Sequence, residues 1–231
     1  MDTSCVLLPM QFRSHLGSTT PPDAMQDMSR VQAVWGHVNV SWTQLPSGHW
    51  VRYFSGVNSY VRSTSAGLLA TRYGTGSFIA WVQVQTWQAN FDGIFCDNDG
   101  AAANWVNNRV NIGRSNVDFT FNLSIADGVG AMQLNGPKTS LINLLRWYCI
   151  GYDWNGTTAV AYTNGVQTDS QPQTVTDPNL GVGIMQATFG KTTPTVGPFQ
   201  GWIGDIRQMT SPIGLDGHNR YFESTRRLYG V

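Results

Sequence analysis

A segment with two β-patterned runs and two Asn-Gly turns most constrains how this chain can fold. It reads LLRWYCIGYDWNGTTAVAYTNGV and spans residues 144–166. Asn-Gly readily takes the positive φ angles of a type I′ turn, whose twist matches that of paired antiparallel strands. We therefore predict that residues 147–154 and 158–163 pair through a type I′ turn at Asn155-Gly156, with a second turn at Asn164-Gly165.

Two further segments strengthen this pattern and point to a superfamily. HWVRYFSGVNSYVRS carries Phe-x-Gly-x-x-x-Tyr-Val within residues 53–61, and FQGWIGDIRQM ends at residue 209. Together with the tryptophan-rich hairpin, these segments resemble the opening, middle and closing strands of laminin-G/concanavalin A-like domains, which include lectins and glucanases. The resemblance covers roughly residues 50–212. It implies an all-β, jelly-roll sandwich of two antiparallel sheets.

The pattern before residue 49 differs from the pattern after it. Residues 1–48 lack sustained periodicity, so we predict an N-terminal arm there and a single sandwich domain over residues 49–231, closed by a short helix at 219–229. One interpretation is that the arm anchors the chain to neighbouring subunits; the alternative is an arm that packs on its own sandwich or stays free. The apolar residues that would form the anchor are Val6, Leu7, Leu8 and Met10.

Charge and cysteine content narrow the possible partners. The chain has 14 basic and 14 acidic residues, only 12% charged in total, and no basic run, which disfavours nucleic acid as a partner. Three cysteines without metal spacing predict buried thiols at Cys96 and Cys149, or a bridge if their strands are adjacent. A surface this poor in charge is typical of extracellular and virion proteins, or of one covered in an assembly.

The N-terminal sequence leads to a hypothesis about where the protein works. MDTSCVLLPMQFRSHLG has an apolar run too short for a secretory signal, and no segment approaches the ~20 apolar residues of a membrane span. A lectin-like sandwich without a secretion signal fits a phage virion protein, which is made in the host cytoplasm and exposed on the particle. We therefore predict a structural component of a tailed-phage particle, a capsid decoration or fibre protein, that contacts itself and other virion proteins and no membrane.

The carboxylates of the sequence argue against a glycosidase. Hydrolases of the resembled superfamily use paired glutamates, and this chain has a single glutamate, Glu223, in the predicted helix. No Gly-x-Ser-x-Gly motif or zinc-type spacing of cysteines and histidines occurs. We predict a protein without catalytic residues; a glycosidase using Asp97 and Asp99 is the less favoured alternative.

Two groups of residues are candidates for ligand binding. Sugars stack on aromatic rings while their hydroxyls form hydrogen bonds with planar amides, so residues of these types predict a glycan site. Such a site would give the chain an alternative function, that of an adhesin for host glycans. The glycan candidates are Trp87, Trp105, Gln83, Gln85 and Asn107, with Trp81 expected in the core. No cofactor is expected except calcium, for which the candidate ligands are Asp97, Asp99 and Asp127.

Overall fold

The computed structural model describes residues 5–7, 24–26, 34–63, 75–88, 92–98, 108–114, 118–126, 132–133, 136–175, 186–191 and 197–231. The first eight strands in these ranges are β1 Cys5–Leu7, β2 Ala24–Gln26, β3 Val34–Val38, β4 Val40–Gln44, β5 Trp50–Ser55, β6 Tyr60–Ser63, β7 Gly76–Val84 and β8 Gly93–Asn98. The next eight are β9 Asn108–Arg114, β10 Phe121–Ala126, β11 Met132–Gln133, β12 Trp147–Trp154, β13 Thr158–Thr163, β14 Val166–Pro172, β15 Gln186–Phe189 and β16 Gln200–Met209. Helix α1, Gly214–Thr225, and a 3₁₀ turn, Arg226–Tyr229, follow.

The described strands form two antiparallel sheets of eight strands each. Sheet A has the order β14-β13-β12-β7-β16-β5-β4, with β1 paired to β16, and sheet B has the order β11-β10-β9-β8-β15-β6-β3-β2. All described pairs are antiparallel. The predicted all-β sandwich of two antiparallel sheets with a short C-terminal helix is confirmed. Among the described residues, no helix has the length and apolar character needed to cross a membrane.

The predicted hairpin is present with the predicted strand limits, but its two turns differ from each other. β12 and β13 pair antiparallel. Only Asn164-Gly165 has positive φ at both residues, 52° and 76°, as a type I′ turn requires. The prediction of that turn at Asn155-Gly156 is wrong. The Asn155 side chain there accepts hydrogen bonds from the backbone N–H groups of Thr157 and Thr158, which holds a wider loop instead.

The sandwich includes residues that the sequence pattern placed in the arm. β3 pairs with β6 in sheet B, and β4 pairs with β5 in sheet A. Asn39, between them, has a φ of 50°, a left-handed conformation that asparagine tolerates and that lets the chain pass from one sheet to the other. The structured domain thus extends at least to Val34, on the N-terminal side of the predicted boundary at residue 48.

The main core fills the space between the two sheets. β7 shows how it is built: Phe78, Ala80, Val82 and Val84 all lie in this core, as the alternation of the sequence predicts. The predicted strand at 117–125 is shorter, because β10 begins at Phe121 and Phe119 is 55% exposed. Cys96 and Cys149 are both buried thiols that form no disulfide, one in each sheet, as predicted.

Candidate functional site

The outer face of sheet A, which points away from the main core, is divided into two parts. Helix α1 and the 3₁₀ turn cover one part and form a second apolar core with the sheet. Trp81, fully buried, stacks on Tyr229 with ring centroids 4.2 Å apart and donates a hydrogen bond from Nε1 to the Thr225 hydroxyl at 2.9 Å. We call this the closed surface; its members on the sheet are Val51, Ile79, Trp81, Trp147 and Cys149.

A buried carboxylate fixes the start of the helix on the sheet. Asp153 of β12 accepts hydrogen bonds from the backbone N–H groups of Gly214, at 2.8 Å, and Ile213, at 3.3 Å. His218 of α1 contacts the same carboxylate at 3.0 Å, and its ring stacks on Tyr162. Burial would raise the pKa of Asp153, but the hydrogen bonds, above all with His218, hold it below its ordinary value. The carboxylate therefore acts as a helix cap supplied by a distant strand.

The remaining part of the outer face carries aromatic rings and amides and is not covered by the helix. Because directly paired residues share a face, the register sets Gln83 of β7 opposite Trp202 of β16, and Trp202 opposite Tyr53 of β5. The two rings lie 5.0 Å apart and are tilted by 47°. We call the half-exposed side chains of this region the open surface; they are Tyr53, Gln83, Gln85, Gln200 and Trp202.

Hydrogen bonds between side chains orient the open surface. The Tyr53 hydroxyl donates to Oε1 of Gln85 at 2.8 Å, and Gln200 Nε2 contacts the same oxygen at 3.5 Å. Gln88 Nε2 donates to Oε1 of Gln200. The Trp202 indole N–H donates to the Thr43 hydroxyl at 3.2 Å, which fixes the plane of that ring. The result is a preorganised group made of the two rings and the amides of Gln85 and Gln200.

A cleft adjoins the open surface at Gln83. It has a volume of about 450 Å³, within the range of sites for small ligands. Trp147, registered opposite Gln83, forms part of its wall. The other lining residues are Leu145, Arg146, Tyr148, Asn164, Tyr229, Gly230 and Val231. Because Gln83 belongs to both regions, a ligand several units long can contact the cleft and the rings at once.

The structure separates Trp87 from the glutamines with which the sequence grouped it. β7 ends at Val84, so the alternation of faces does not continue to residue 87. Trp87 packs against the main core, with its ring 5.4 Å from that of Phe121 and under the Arg114 guanidinium at 5.0 Å. The grouping of Trp87 with Gln83 and Gln85 on one face is therefore wrong. Trp81 is in a core, as expected, but in the one beneath α1.

An ion pair supports Trp87 from below. Arg114 Nε lies 2.9 Å from Asp92, whose side chain is fully buried. Burial is the main cause that raises the pKa of Asp92 to about 6, and the Gln88 N–H and Arg114 offset it only in part. A tryptophan held between rings and a paired guanidinium has the environment of a packing residue.

Several predicted ligand residues lie outside the described ranges. These are Trp105, Asn107, Asp99 and Asp127. Asp97 is in β8, but its side chain is not described. Among the described residues, no three His, Cys, Asp or Glu side chains lie close enough together to hold a metal ion. The calcium site thus stays a prediction.

A catalytic pair of glutamates is not possible within this chain, because its sequence has one glutamate. Glu223, the single glutamate of the sequence, is on α1, where its half-exposed side chain lies 2.9 Å from Arg226.

Of the predicted anchor residues, Val6 and Leu7 lie in β1, which pairs with β16 of the same sandwich, while Leu8 and Met10 lie outside the described ranges.

Sequence reasoning missed three members of the open surface: Tyr53, Trp202 and Gln200. All three are in the two segments that carried the superfamily resemblance, so their strands were predicted. Their position beside Gln83 depends on the register of strands more than a hundred residues apart, such as β7 and β16. No local pattern encodes that register.

The fold is shared with domains of known structure. Domain 4 of AbnA, a GH43 extracellular arabinanase from Geobacillus stearothermophilus solved in complex with arabinotriose, has a TM-score of 0.59 and 15% identity over 79% of this chain and 81% of that one. The botulinum neurotoxin serotype D binding domain has a TM-score of 0.65 and 12% identity over 97% of this chain and 51% of that one. The botulinum neurotoxin serotype G binding domain has a TM-score of 0.64 and 12% identity over 87% of this chain and 48% of that one.

These similarities define the fold. The chain spans about half the length of the neurotoxin chains that it matches. No protein-family model matches the chain, and no curated protein matches it. At these identities, the comparisons show a shared β-sandwich fold.

Proposed function

We propose that the protein binds carbohydrate on the open surface and the adjoining cleft. The observation that carries this proposal is the registered set of Gln83, Trp202 and Tyr53 on the uncovered part of sheet A. Pyranose rings present an apolar C–H face that stacks on indole and phenol rings, while planar amides both donate and accept hydrogen bonds. A domain solved with arabinotriose shares the fold, which adds support.

The arrangement favours an extended oligosaccharide over a single sugar. The ring of Trp202 is fixed by its bond to Thr43, and the amides of Gln85 and Gln200 are fixed by each other and by Tyr53. Side chains that are already ordered lose little conformational entropy on binding, so each new contact contributes more to affinity. The cleft at Gln83 then accepts a further sugar unit.

Binding is tested by a glycan array followed by calorimetry on the purified protein. We expect Trp202→Ala to lower affinity at least about tenfold, because stacking on the ring is lost. Trp50→Ala is the matched control: Trp50 is another half-buried tryptophan in the same β5 strand as Tyr53, but it lies outside the open surface. Retention of glycans by the Trp202 variant, or equal losses in both variants, would contradict the proposal.

A structural role in a tailed-phage particle is the second proposal, and the low share of charged residues, 12%, favours it. On this proposal the sandwich is displayed on the particle surface and the N-terminal residues attach it to other virion proteins or to further copies. Glycan binding is compatible with that location. Antibody-gold labelling of intact particles tests the structural role: label on capsids or tails supports this role, and unlabelled particles contradict it. Removing residues 1–10 should then abolish incorporation.

A further inference from the structure

We propose that the cleft recognises an acidic sugar, a unit carrying a carboxylate, and that Arg146 is the residue that selects it; this inference rests on the proposed carbohydrate function. Of the described side chains that line the cleft, only that of Arg146 is charged. The other lining side chains are amides, aromatic rings and aliphatic groups. Arg146 therefore places a positive charge on this wall of the cleft with no acidic side chain beside it among the described lining residues, and such a wall favours an anionic group.

Arg146 is unlike several other cations of the described chain, which have acidic partners. Arg114 pairs with Asp92, Lys138 with Asp118, and Arg226 with Glu223. No hydrogen bond or ion pair of the exposed Arg146 side chain occurs within the described ranges. A free guanidinium presents a planar fork of donors that matches both oxygens of a carboxylate.

The backbone on both sides of Arg146 is fixed. Leu145 has a φ of 58°, a left-handed conformation that is unfavourable for a leucine. Its N–H donates to the Val84 carbonyl at 2.8 Å, which ties this turn to the end of β7. Trp147, the next residue, is 8% exposed and is the first residue of β12. The strained turn therefore holds the base of the Arg146 side chain at the cleft wall while its end stays free.

Neutral groups of the cleft are suited to the hydroxyls of the same sugar. The Tyr148 hydroxyl accepts from both the backbone N–H and Nδ2 of Asn143, each at 3.2 Å, so its own proton remains to donate. Asn164 uses Oδ1 to accept from Cys149 N–H at 2.9 Å, which leaves its Nδ2 as a donor. Gln83 adds an amide that both donates and accepts. One cation with three neutral polar groups matches a uronate-type sugar better than a bare anion.

The test compares acidic glycans with their own methyl esters, which keep every hydroxyl and remove the charge. Oligogalacturonates and sialylated oligosaccharides, each printed beside its ester, serve as probes. The protein used in this test is produced without a tag after Val231, because Gly230 and Val231 line the cleft. We expect at least about tenfold tighter binding of an acid than of its ester, decreasing as salt is raised.

Variants test whether Arg146 causes the tighter binding of the acid than of its ester. Arg146→Gln should bind acid and ester equally, and Arg146→Lys should retain part of the preference. Arg220→Gln is the control, since Arg220 is an exposed helix arginine outside the cleft with only a 3.9 Å contact to Asp216. Equal binding of acid and ester by the natural chain, or an unchanged preference in Arg146→Gln, overturns the inference. If binding of neutral glycans is still lost in Trp202→Ala, the carbohydrate function stands without a preference for acidic sugars. If no glycan binds to the natural chain, the carbohydrate function and the preference for acidic sugars both fail.

Discussion

The closed and open surfaces lie on the same face of sheet A and share the strands β5 and β7, yet their surroundings differ. In the closed surface, Trp81 has no exposed area and contacts three aromatic or hydroxyl groups of the C-terminal segment. In the open surface, Trp202 is only partly buried. Its ring packs at the edge of the second core and beside Tyr53, and its strand neighbour Gln83 carries an amide. The difference teaches that helix α1, and not the strand pattern, decides which tryptophans stabilise the fold and which remain available to a ligand.

Trp81→Ala should have the largest effect on stability. The substitution removes a fully buried indole, its stacking on Tyr229 and its bond to Thr225. We expect a loss of about 3–5 kcal/mol in the free energy of unfolding, measured by urea denaturation. A loss below about 1 kcal/mol would mean that the second core is not tightly packed.

Trp87→Ala should come next, with a loss of about 2–3 kcal/mol. The half-buried ring packs on the main core with Phe121 and Arg114. The sequence grouping of Trp87 with glycan-binding residues gives the opposite expectation, a loss of glycan retention with little change in stability. Thermal unfolding and glycan retention measured on the same sample distinguish the two, and a stable variant without retention would return Trp87 to the ligand site.

Asp153→Asn tests how the closed surface is kept closed. We expect a loss of about 1–3 kcal/mol, because charged hydrogen bonds to α1 weaken. The pKa of Asp153 is lower in the folded protein than its ordinary value of 3.8, so the folded state binds fewer protons than the unfolded state. Its contribution is complete above pH 3.8 and is lost as pH falls through the folded pKa.

Denaturation at several pH values below 5 measures this contribution. The natural chain should lose stability on acidification more steeply than Asp153→Asn. Asp216→Asn is the control, since that carboxylate is also near the start of α1 but its side chain is 87% exposed. An equal slope in the natural chain and in Asp153→Asn would show that other groups govern acid unfolding.

The same contrast explains how far the sequence could be interpreted. Local chemistry specified β12 and β13, because alternation and Asn-Gly turns act over a few residues. It failed at Asn155, where a side chain competes for backbone N–H groups, and at Trp87, where the strand ends three residues earlier. The open surface could not be predicted, since it depends on the register between distant strands and on where α1 ends.

The smallest expected change in stability, with a clear change in binding, belongs to Gln85→Ala. Gln85 is half-exposed and accepts the hydrogen bond from the Tyr53 hydroxyl, so we expect the free energy of unfolding to fall by about 0.5 kcal/mol or less. Glycan affinity should fall about three- to tenfold, because one amide is lost and the Tyr53 ring is no longer fixed. Gln167→Ala, at an exposed position of β14, is the control and should alter neither quantity. If Gln85→Ala instead destabilised the protein as Trp87→Ala is expected to, the open surface would be a continuation of the packed face, and the distinction between the two halves of sheet A would fail.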